Sequence, residues 1–441
     1  MKNSPLRRTA LLLVGTLLVV SACNHSGNGP TESSNVGFSA KFAPATTAIN
    51  QLGLDLFRQL AAANKDGNLL LSPYSIQSAL AMTYAGADGE TRAEMARVLH
   101  FPASDDQLAG SFADLRAGLD TAIYTSARRT NYVGLGSKMG SIEWHDANRL
   151  FAERDFSFRQ PFLDFTRDRY AAPLQPLDFK NNAEAARGTI NAWVADQTKN
   201  RIPDLIPSDG LNGTTRLVLV NAIYFKAPWK NEFFKGATQD RVFKARGKEE
   251  IKVPTMFNQT IYGYAKRDGY TAVTLPYLGG DLQLLVLLPD QADGLDALAA
   301  KATPDLLRRC AQLPPNDVRL WLPKLKFTPP TIALSAALKS LGLKTAFNLP
   351  PGSANFDRMA PRKPDEYLAI AEVFHKTFFA LDEESTEAAA ATAVSMLMVT
   401  GLDDAPPPSP PEIHVDHPFL FAIQHRASGM CLFLGRVTDP S

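Results

Sequence analysis

One stretch of the sequence is more informative about the fold than any other: Glu383-Glu384-Ser385-Thr386-Glu387-Ala388-Ala389-Ala390-Ala391-Thr392. Taken alone, an alanine-rich segment is a good helix former, and a surface helix is one interpretation. Read with the two-residue period of a β-strand, the same segment has two different faces. From Thr386 onward its even-numbered residues carry only small side chains, whereas the charge of Glu387 falls on the other face. The second interpretation is therefore a strand with one small-residue face.

The residues after this stretch extend the strand interpretation. Residues 393–400 are increasingly typical of a strand and contain no charge. The even-numbered face continues with bulkier side chains, namely Val394, Met396 and Met398. The leading part, with its small side chains, is therefore suited to enter a crowded sheet. Asp403-Asp404 and the prolines within residues 406–411 then end the pattern, because proline cannot supply the hydrogen bonds of a central strand. A surface helix followed by a proline-rich loop does not explain why a two-faced strand pattern ends at an acidic pair and a group of prolines.

The composition is that of an ordinary folded protein. The chain has 441 residues, of which 45% are hydrophobic and 21% are charged, and this excludes general disorder, a collagen-like fibre and a multispan membrane protein. The 46 Lys and Arg residues nearly balance the 45 Asp and Glu residues, so no nucleic-acid partner is expected. The length suggests more than one domain, yet the sequence has no internal repeat and no central linker. We therefore expect either tightly joined domains or one unusually large core.

The N-terminal segment is typical of a secretion signal. A basic start precedes an apolar run over residues 10–20, which is too short to span a bilayer but suits a signal peptide. The small residues before Cys23 resemble a bacterial lipobox. Residues 1–22 are therefore predicted to be a lipoprotein signal peptide, and Cys23 the lipid-modified first residue of the mature chain. An ordinary signal peptide with an incidental cysteine is the alternative.

These signals predict a protein outside the cytoplasm. A lipid on Cys23 would anchor it in the bacterial cell envelope, at the outer membrane or the cell surface, whereas the ordinary signal peptide would lead to secretion. Residues 23–44 are rich in Gly, Ser, Asn and Thr and lack periodicity, which is typical of a flexible tether. Residues 45–441 are expected to form the folded domain.

Hydrophobic periodicity predicts an α+β protein, with helices early in the chain and strands later. Apolar residues at helical spacing predict a helix that ends near Gly67. Ser72 and Pro73 are typical of the N-cap and first position of a second helix. The apolar run 217–225 predicts a buried central strand. A further helix is expected over residues 181–199, and further strands over 68–71, 282–288, 419–424 and 430–437.

The sequence contains no recognisable constellation for catalysis, because GxSxG, HExxH, a Walker loop and GxGxxG are all absent. His414 and His417 would fall on opposite faces of a strand, so a shared metal ion is not expected. Three cysteines are too few for a disulfide framework, and Cys310 and Cys431 are expected to be free buried thiols. We therefore predict neither an enzyme nor a bound metal or cofactor.

Residues 383–392 closely resemble the hinge of an inhibitory serpin, and the resemblance covers about residues 46–440. Seven segments match the family in the same order, although each is weak alone. They are residues 68–76, 79–91, 221–229, 322–325, 375–376, 417–421 and 434–437. The resemblance implies a monomeric serpin fold with three β-sheets, about eight or nine helices, and an exposed reactive-centre loop at about residues 383–412.

The resemblance also implies a mechanism, since loop insertion into a sheet is a known form of β-strand addition. A serine protease cleaves the loop and forms an acyl-ester, and the loop then inserts into the central sheet before water releases the protease. The insertable strand would run from Thr386 to Val399. The expected scissile bond is Val399–Thr400, with Met398–Val399 as the alternative.

The residues at this bond indicate the target class. Valine favours an elastase-like protease, and methionine also suits a chymotrypsin-like one. Lys and Arg are absent from residues 385–402, which disfavours a trypsin-like target. Cysteine proteases are an additional target class for such inhibitors.

Five further residues match positions that control sheet opening in the family. Ser72, Ser75, Asn221 and His375 match a polar cluster called the shutter, and Trp229 matches the breach, where the loop first enters the sheet. Buried polar groups must be paired, so rearrangement of their hydrogen bonds is a plausible control step. The alternatives are a helix cap for Ser72, ordinary buried polar groups for the others, and a core aromatic side chain for Trp229.

Two features depart from the family pattern. Ser385 stands where glycine is usual, and serine resists a positive φ. Residues 127–141, with Arg128, Arg129 and Lys138, resemble an inserted loop. A solvated loop is a simpler interpretation of this segment than a polyanion-binding site. The main rival function is that of a non-inhibitory serpin acting as a binding or chaperone protein. Such proteins tend to have bulky, charged or proline residues in the hinge, and apart from Glu387 residues 386–392 contain none.

Overall fold

Helices dominate the first part of the chain, in agreement with the periodicity. The computed structural model describes residues 40–132, 140–170, 174–327, 329–363, 367–386 and 409–441. Within these ranges the α-helices are α1 (Ala43–Ala63), α2 (Pro73–Gly86), α3 (Gly89–Val98), α4 (Asp105–Tyr132), α5 (Gln160–Tyr170), α6 (Phe179–Gln197), α7 (Leu295–Lys301), α8 (Pro304–Cys310) and α9 (Ser335–Ser340). Short 3₁₀ helices lie at Ala40–Phe42, Lys235–Ala237 and Thr345–Phe347.

The strands of the described residues fall mostly after α6. They are β1 (Leu69–Leu71), β2 (Glu143–Glu153), β3 (Gln175–Leu177), β4 (Leu217–Pro228), β5 (Gln239–Ala245), β6 (Glu249–Arg267), β7 (Tyr270–Pro276), β8 (Leu282–Pro289), β9 (Pro315–Pro323), β10 (Leu325–Phe327), β11 (Ile332–Ala333), β12 (Glu372–Thr377), β13 (Phe379–Leu381), β14 (Ser385–Thr386), β15 (Glu412–His414), β16 (Phe419–His425) and β17 (Met430–Val437).

Three sheets result from these strands. The nine-stranded sheet has the order β1-β17-β16-β8-β7-β6-β9-β15, with β5 paired to β6. The six-stranded sheet has the order β11-β12-β4-β2-β3, with β14 paired to β4, and β10 pairs with β13 in a two-stranded sheet. Helices and three sheets together confirm the predicted α+β class. We call the six-stranded sheet the central sheet, because the predicted insertion concerns it.

Strand β4 lies inside the central sheet and is buried on both faces, which explains its nearly uninterrupted apolar sequence. Alternate residues such as Leu219 and Ile223 belong to the larger hydrophobic core. The intervening residues, such as Val220, pack instead in a smaller cluster with Ile190 and Val194 of α6. Asn221 is the polar exception on the side of the larger core, and it is fully buried.

The N-terminal end of the described chain differs from the tether pattern, since residues 40–44 are helical. Phe42 is buried and lies edge to face against His425, with ring centroids 5.9 Å apart. The hydroxyl of Ser111 donates to the Phe42 carbonyl at 3.2 Å and accepts from the Ala45 N–H at 3.1 Å. These contacts with α4 and β16 fix the first turn, and local composition gave no signal for them. Residues 1–39, which include Cys23, lie outside the described residues.

The segment expected to be an inserted loop also differs in part. Helix α4 continues through Tyr132, so residues 127–132 are helical. The Arg128 guanidinium lies 5.9 Å from the Tyr124 ring centroid, one turn earlier on the same helix. Residues 133–139, with the predicted Lys138, lie outside the described residues.

Cys310 and Cys431 are free and buried, as predicted. Burial raises the pKa of each thiol to about 12, so both stay protonated at neutral pH. Among the helices of the described residues, none is both long enough and apolar enough to cross a membrane. The same residues contain no group of three His, Cys, Asp or Glu side chains placed to hold a metal ion.

Candidate functional site

Strand register brings the predicted shutter residues together. Asn221 of β4 lies opposite Asn148 of β2 on one side and opposite His375 of β12 on the other. Helix α2 begins beside them, with Ser72 as its N-cap. We call Ser72, Ser75, Asn148, Asn221 and His375 the central polar cluster.

Hydrogen bonds connect the two asparagines to Ser75. The Asn221 Nδ2 donates to the Ser75 hydroxyl and to Asn148 Oδ1, both at 2.7 Å. The Ser75 hydroxyl donates in turn to Asn148 Oδ1 at 2.9 Å. Helix α2 and strands β2 and β4 are therefore joined through one set of buried amide and hydroxyl groups.

His375 connects β12 to the same cluster and is fully buried. Its Nδ1 contacts Asn221 Oδ1, which only accepts, so this nitrogen carries the proton. Its Nε2 accepts the Ser72 backbone N–H at 3.0 Å. Burial lowers the pKa of His375 to about 3, because a charged ring would lose its hydration. The ring is neutral at physiological pH, with one donor and one acceptor both in use.

Ser72 fits both sequence interpretations. Its side chain accepts the Ser75 N–H at 3.4 Å, which makes it a helix cap. The hydroxyl also donates to the Leu432 carbonyl at 2.7 Å, and the backbone N–H donates to His375. A single residue therefore caps α2 and contacts both β17 and β12.

The start of the hinge is already a strand of the central sheet. Ser385 lies opposite Pro228 and Thr386 opposite Ala227 in antiparallel pairing. The chain arrives there from β12 and β13, so β14 lies on the β12 side of β4. The Thr386 hydroxyl is 2.8 Å from the Tyr277 hydroxyl, and Thr386 is only 1% exposed. The first residue of the predicted small face therefore faces the core.

Trp229 contacts the hinge while belonging to the core. Its indole Nε1 donates to the Asp382 carbonyl at 2.8 Å, and its backbone N–H donates to the Glu384 carbonyl at 3.0 Å. The indole stacks on Tyr277 with ring centroids 4.7 Å apart and an interplanar angle of 10°. Both interpretations of Trp229, a core aromatic and a residue at the loop entry, agree with this position.

The two acidic residues that begin the hinge are held by lysines. Glu383 accepts from Lys324 at 2.8 Å and from the Thr238 hydroxyl at 2.7 Å. Burial raises the pKa of Glu383, but these hydrogen bonds outweigh burial and hold it below its ordinary value. Glu384 forms an ion pair with Lys235. We call Trp229, Tyr277 and residues 382–386 the loop-entry site.

A turn of Asp382 shapes this site and explains the conformation of Ser385. The Asp382 carboxylate accepts the backbone N–H groups of Glu384 and Ser385 at 3.0 and 3.1 Å. Ser385 is not one of the five non-glycine residues with a positive φ among the described residues. The strain expected from serine in place of glycine is therefore not present in this conformation.

Several residues of the site were not singled out from the sequence. Asn148 and Tyr277 lie in the site because of how distant strands pair. The turn before β14 brings in three more residues, namely Asp382, Lys235 and Lys324. The sequence offered no clear signal for Asn148, because β2 contains several other polar residues. Of the remaining predicted residues, the hinge from Glu387 to Thr392 and the reactive bond at Met398, Val399 and Thr400 lie outside the described residues.

Comparisons with known proteins agree with this fold. A family model described as serpin (serine protease inhibitor) matches residues 47–440. Leukocyte elastase inhibitor of Bos taurus is 36% identical over 406 residues, covering 90% of this chain and 99% of that protein. Plasminogen activator inhibitor 2 of Homo sapiens is 34% identical over 417 residues, covering 88% of this chain and 97% of that protein.

A solved structure gives the same result in three dimensions. Serpin48 of the insect Tenebrio molitor, described as a highly specific serpin, matches with a TM-score of 0.73 and 30% identity, covering 89% of this chain and 97% of that one. The chain belongs to the serpin family. Both of the relatives named above are inhibitors by name, and the matching family model is described as serine protease inhibitor.

Proposed function

We propose that this protein is a suicide-substrate inhibitor of serine proteases, with an elastase-like target. The protease cleaves Val399–Thr400, or Met398–Val399, and its serine becomes esterified to the new carboxyl group. The freed loop then inserts into the central sheet and traps the acyl-ester. The observation that carries this proposal is the antiparallel pairing of Ser385 and Thr386 with β4, beside the edge into which the loop would extend.

The register of β14 defines the proposed inserted state. If the pairing continued one residue at a time along β4, Ala388 would lie opposite Phe225, Ala390 opposite Ile223 and Thr392 opposite Asn221. Opposite residues share a face of the sheet, so these small side chains would face the core. Phe225 already lies 5.4 Å from the Tyr277 ring, which leaves room for alanine rather than a bulky residue.

Insertion would require β12 to separate from β4. These strands now pair in parallel over six positions, from Glu372↔Val218 to Thr377↔Ile223. The inserted strand would run antiparallel to both, and antiparallel pairing is slightly more stable per residue than parallel pairing. The sheet would also gain one strand, so the free energy of the cleaved form would decrease.

The central polar cluster would control this separation. Thr392 would take the place of His375 beside Asn221, so the Nδ1–H···Oδ1 hydrogen bond must break during insertion. The Ser72 N–H would lose its acceptor at the same step. A hydroxyl group at residue 392 is able to hydrogen-bond with Asn221 in the inserted state, and this offsets the loss.

The direct experiment is to incubate the protein with a pancreatic elastase and separate the products on a denaturing gel. A covalent band of the summed mass is expected. Thr386→Arg should give cleaved protein without that band, because a guanidinium cannot be buried against Tyr277. Clean cleavage of the unchanged protein without a covalent band would instead identify a non-inhibitory serpin.

We also propose that Cys23 carries a lipid and anchors the inhibitor in the cell envelope. The lipobox-like sequence and the composition of residues 24–39 support this proposal. In a bacterial host, the protein should incorporate labelled palmitate and partition into detergent, whereas Cys23→Ser should do neither. Unlabelled protein in the medium would favour an ordinary signal peptide.

A further inference from the structure

Two neighbouring cavities lie away from the loop-entry site. The larger, of about 510 Å³, is bounded by helices α2, α4 and α5, with Tyr84, Leu108, Phe162 and Phe165 among its lining residues. The smaller, of about 40 Å³, extends to Asn148 on β2. Tyr170 lines both, so the two cavities lie next to each other at this side chain.

The smaller cavity presents hydrogen-bond donors that suit an anion. Asn148 Oδ1 is used by Ser75 and Asn221, whereas the buried Asn148 Nδ2 has no hydrogen-bond partner among the described residues. The side chains of Arg116 and Arg169 also border this cavity, and no carboxylate does so among the described residues that line it. A buried donor without a partner is costly, and a carboxylate oxygen would satisfy it.

The larger cavity suits an apolar group. Two of the charged side chains at its rim pair with each other, since Arg358 donates to the Asp88 carboxylate at 3.2 Å, and the Arg159 Nε donates to the Asp357 backbone carbonyl at 2.6 Å. Asp105 forms an ion pair with Arg92, outside the lining. The volume falls within the range of small-molecule sites, and such sites are mostly apolar with a few placed polar groups.

The geometry points to a binding site for a small monocarboxylate with an aromatic or alkyl body. The carboxylate would lie in the smaller cavity near Asn148 Nδ2, Arg116 and Arg169, and the body would fill the larger cavity beside Phe162 and Phe165. This site is independent of protease inhibition, although it shares Asn148 with the central polar cluster.

Calorimetric titration with 3-phenylpropanoate tests this site in the full chain. The carboxylate should bind at least about tenfold more tightly than 3-phenylpropanamide, a difference of about 1.4 kcal/mol. The double variant Arg116→Gln, Arg169→Gln should lose that preference, while its affinity for the amide stays unchanged. Arg154→Gln, an exposed arginine that lines neither cavity, is the matched control and should bind as the unchanged protein does.

A second variant tests the position of the apolar body. Ala85→Phe on α2 would fill the larger cavity and should abolish binding of both the carboxylate and the amide. Thermal unfolding verifies that each variant is folded. Equal affinities for the two compounds, tighter binding of 3-phenylpropylamine, unchanged binding in either variant, or no binding at ~10 mM ligand would each overturn the proposal.

Discussion

His375 is neutral because of where it lies, and this gives it a measurable role in stability. The ring donates to Asn221 and accepts from the Ser72 N–H, and its surroundings exclude water. Protonation would turn the accepting nitrogen into a donor that points at another donor. The histidine therefore holds β12 against β4 and α2 only in its neutral form.

Replacing His375 by alanine should lower the free energy of unfolding by about 2–5 kcal/mol. The substitution leaves Asn221 Oδ1 and the Ser72 N–H buried without partners, and each such group costs about 1–3 kcal/mol. Urea unfolding followed by fluorescence measures this change. Lys376→Ala, on the other face of the same strand, is the control and should change stability by less than about 1 kcal/mol.

Acid should destabilise the protein before its carboxylates are protonated. Burial lowers the pKa of His375 to about 3 and that of His425 to about 4, whereas both titrate near 6.5 in the unfolded chain. Between these values the unfolded chain binds more protons, so the free energy of unfolding falls as the pH falls below about 6.5. Each histidine contributes a slope of up to about 1.4 kcal/mol per pH unit. Urea unfolding at several pH values checks this, and His375→Gln should have the smaller slope.

At the scale of elements, the sequence predicts what is local and misses what depends on register. The Ser72 cap, helix α2 and the apolar strand β4 were predicted because their signals lie within a few residues. The pairings of Asn148 and His375 with Asn221 join segments far apart in the chain, and nothing in their local sequence encodes them. The shutter residues could be proposed only through the family resemblance. The sequence predicted an inserted loop from residue 127, but helix α4 continues through Tyr132, so the first part of this basic segment is helical.

The two faces of the hinge give an element-scale prediction. Ala388→Glu should convert the proposed inhibitor into a substrate, because a strand that continued the register of β14 would place residue 388 opposite Phe225 in the core. Ala389→Glu places the same charge on the other face and should largely retain inhibition. The number of inhibitor molecules consumed per inactivated elastase measures both effects. Equal values for the two variants would contradict a register continuous with Thr386.

At the scale of the whole molecule, β12 pairs directly with β4 over the six positions at which the loop would insert in the proposed mechanism. Only Ser385 and Thr386 of the hinge are paired with β4 among the described residues, although β4 has twelve residues. The present fold is therefore expected to be less stable than one with a fully inserted loop. This difference is the free energy that would do work on a bound protease.

Cleavage of the loop should raise the melting temperature by at least ~10 °C. About ten further strand residues would form hydrogen bonds, each with a net contribution of about 0.5–1.5 kcal/mol. Differential scanning fluorimetry before and after limited proteolysis measures the shift. The cleaved Thr386→Arg variant should show a much smaller increase, and an unchanged melting temperature of the cleaved protein would exclude insertion.

The short strand β14 has a kinetic consequence. A free loop would have to find its register by trial, and a one-residue slip would turn every small side chain away from the core. Because Thr386 is already paired with Ala227 and in contact with Tyr277, the loop in the proposed mechanism would not have to search for its register after cleavage. The inserting strand would then only have to extend its pairing along β4 from Thr386, and the formation of β-strand pairs takes microseconds. In that mechanism, insertion would compete with hydrolysis of the acyl-ester, and its rate would depend on how fast β12 separates from β4.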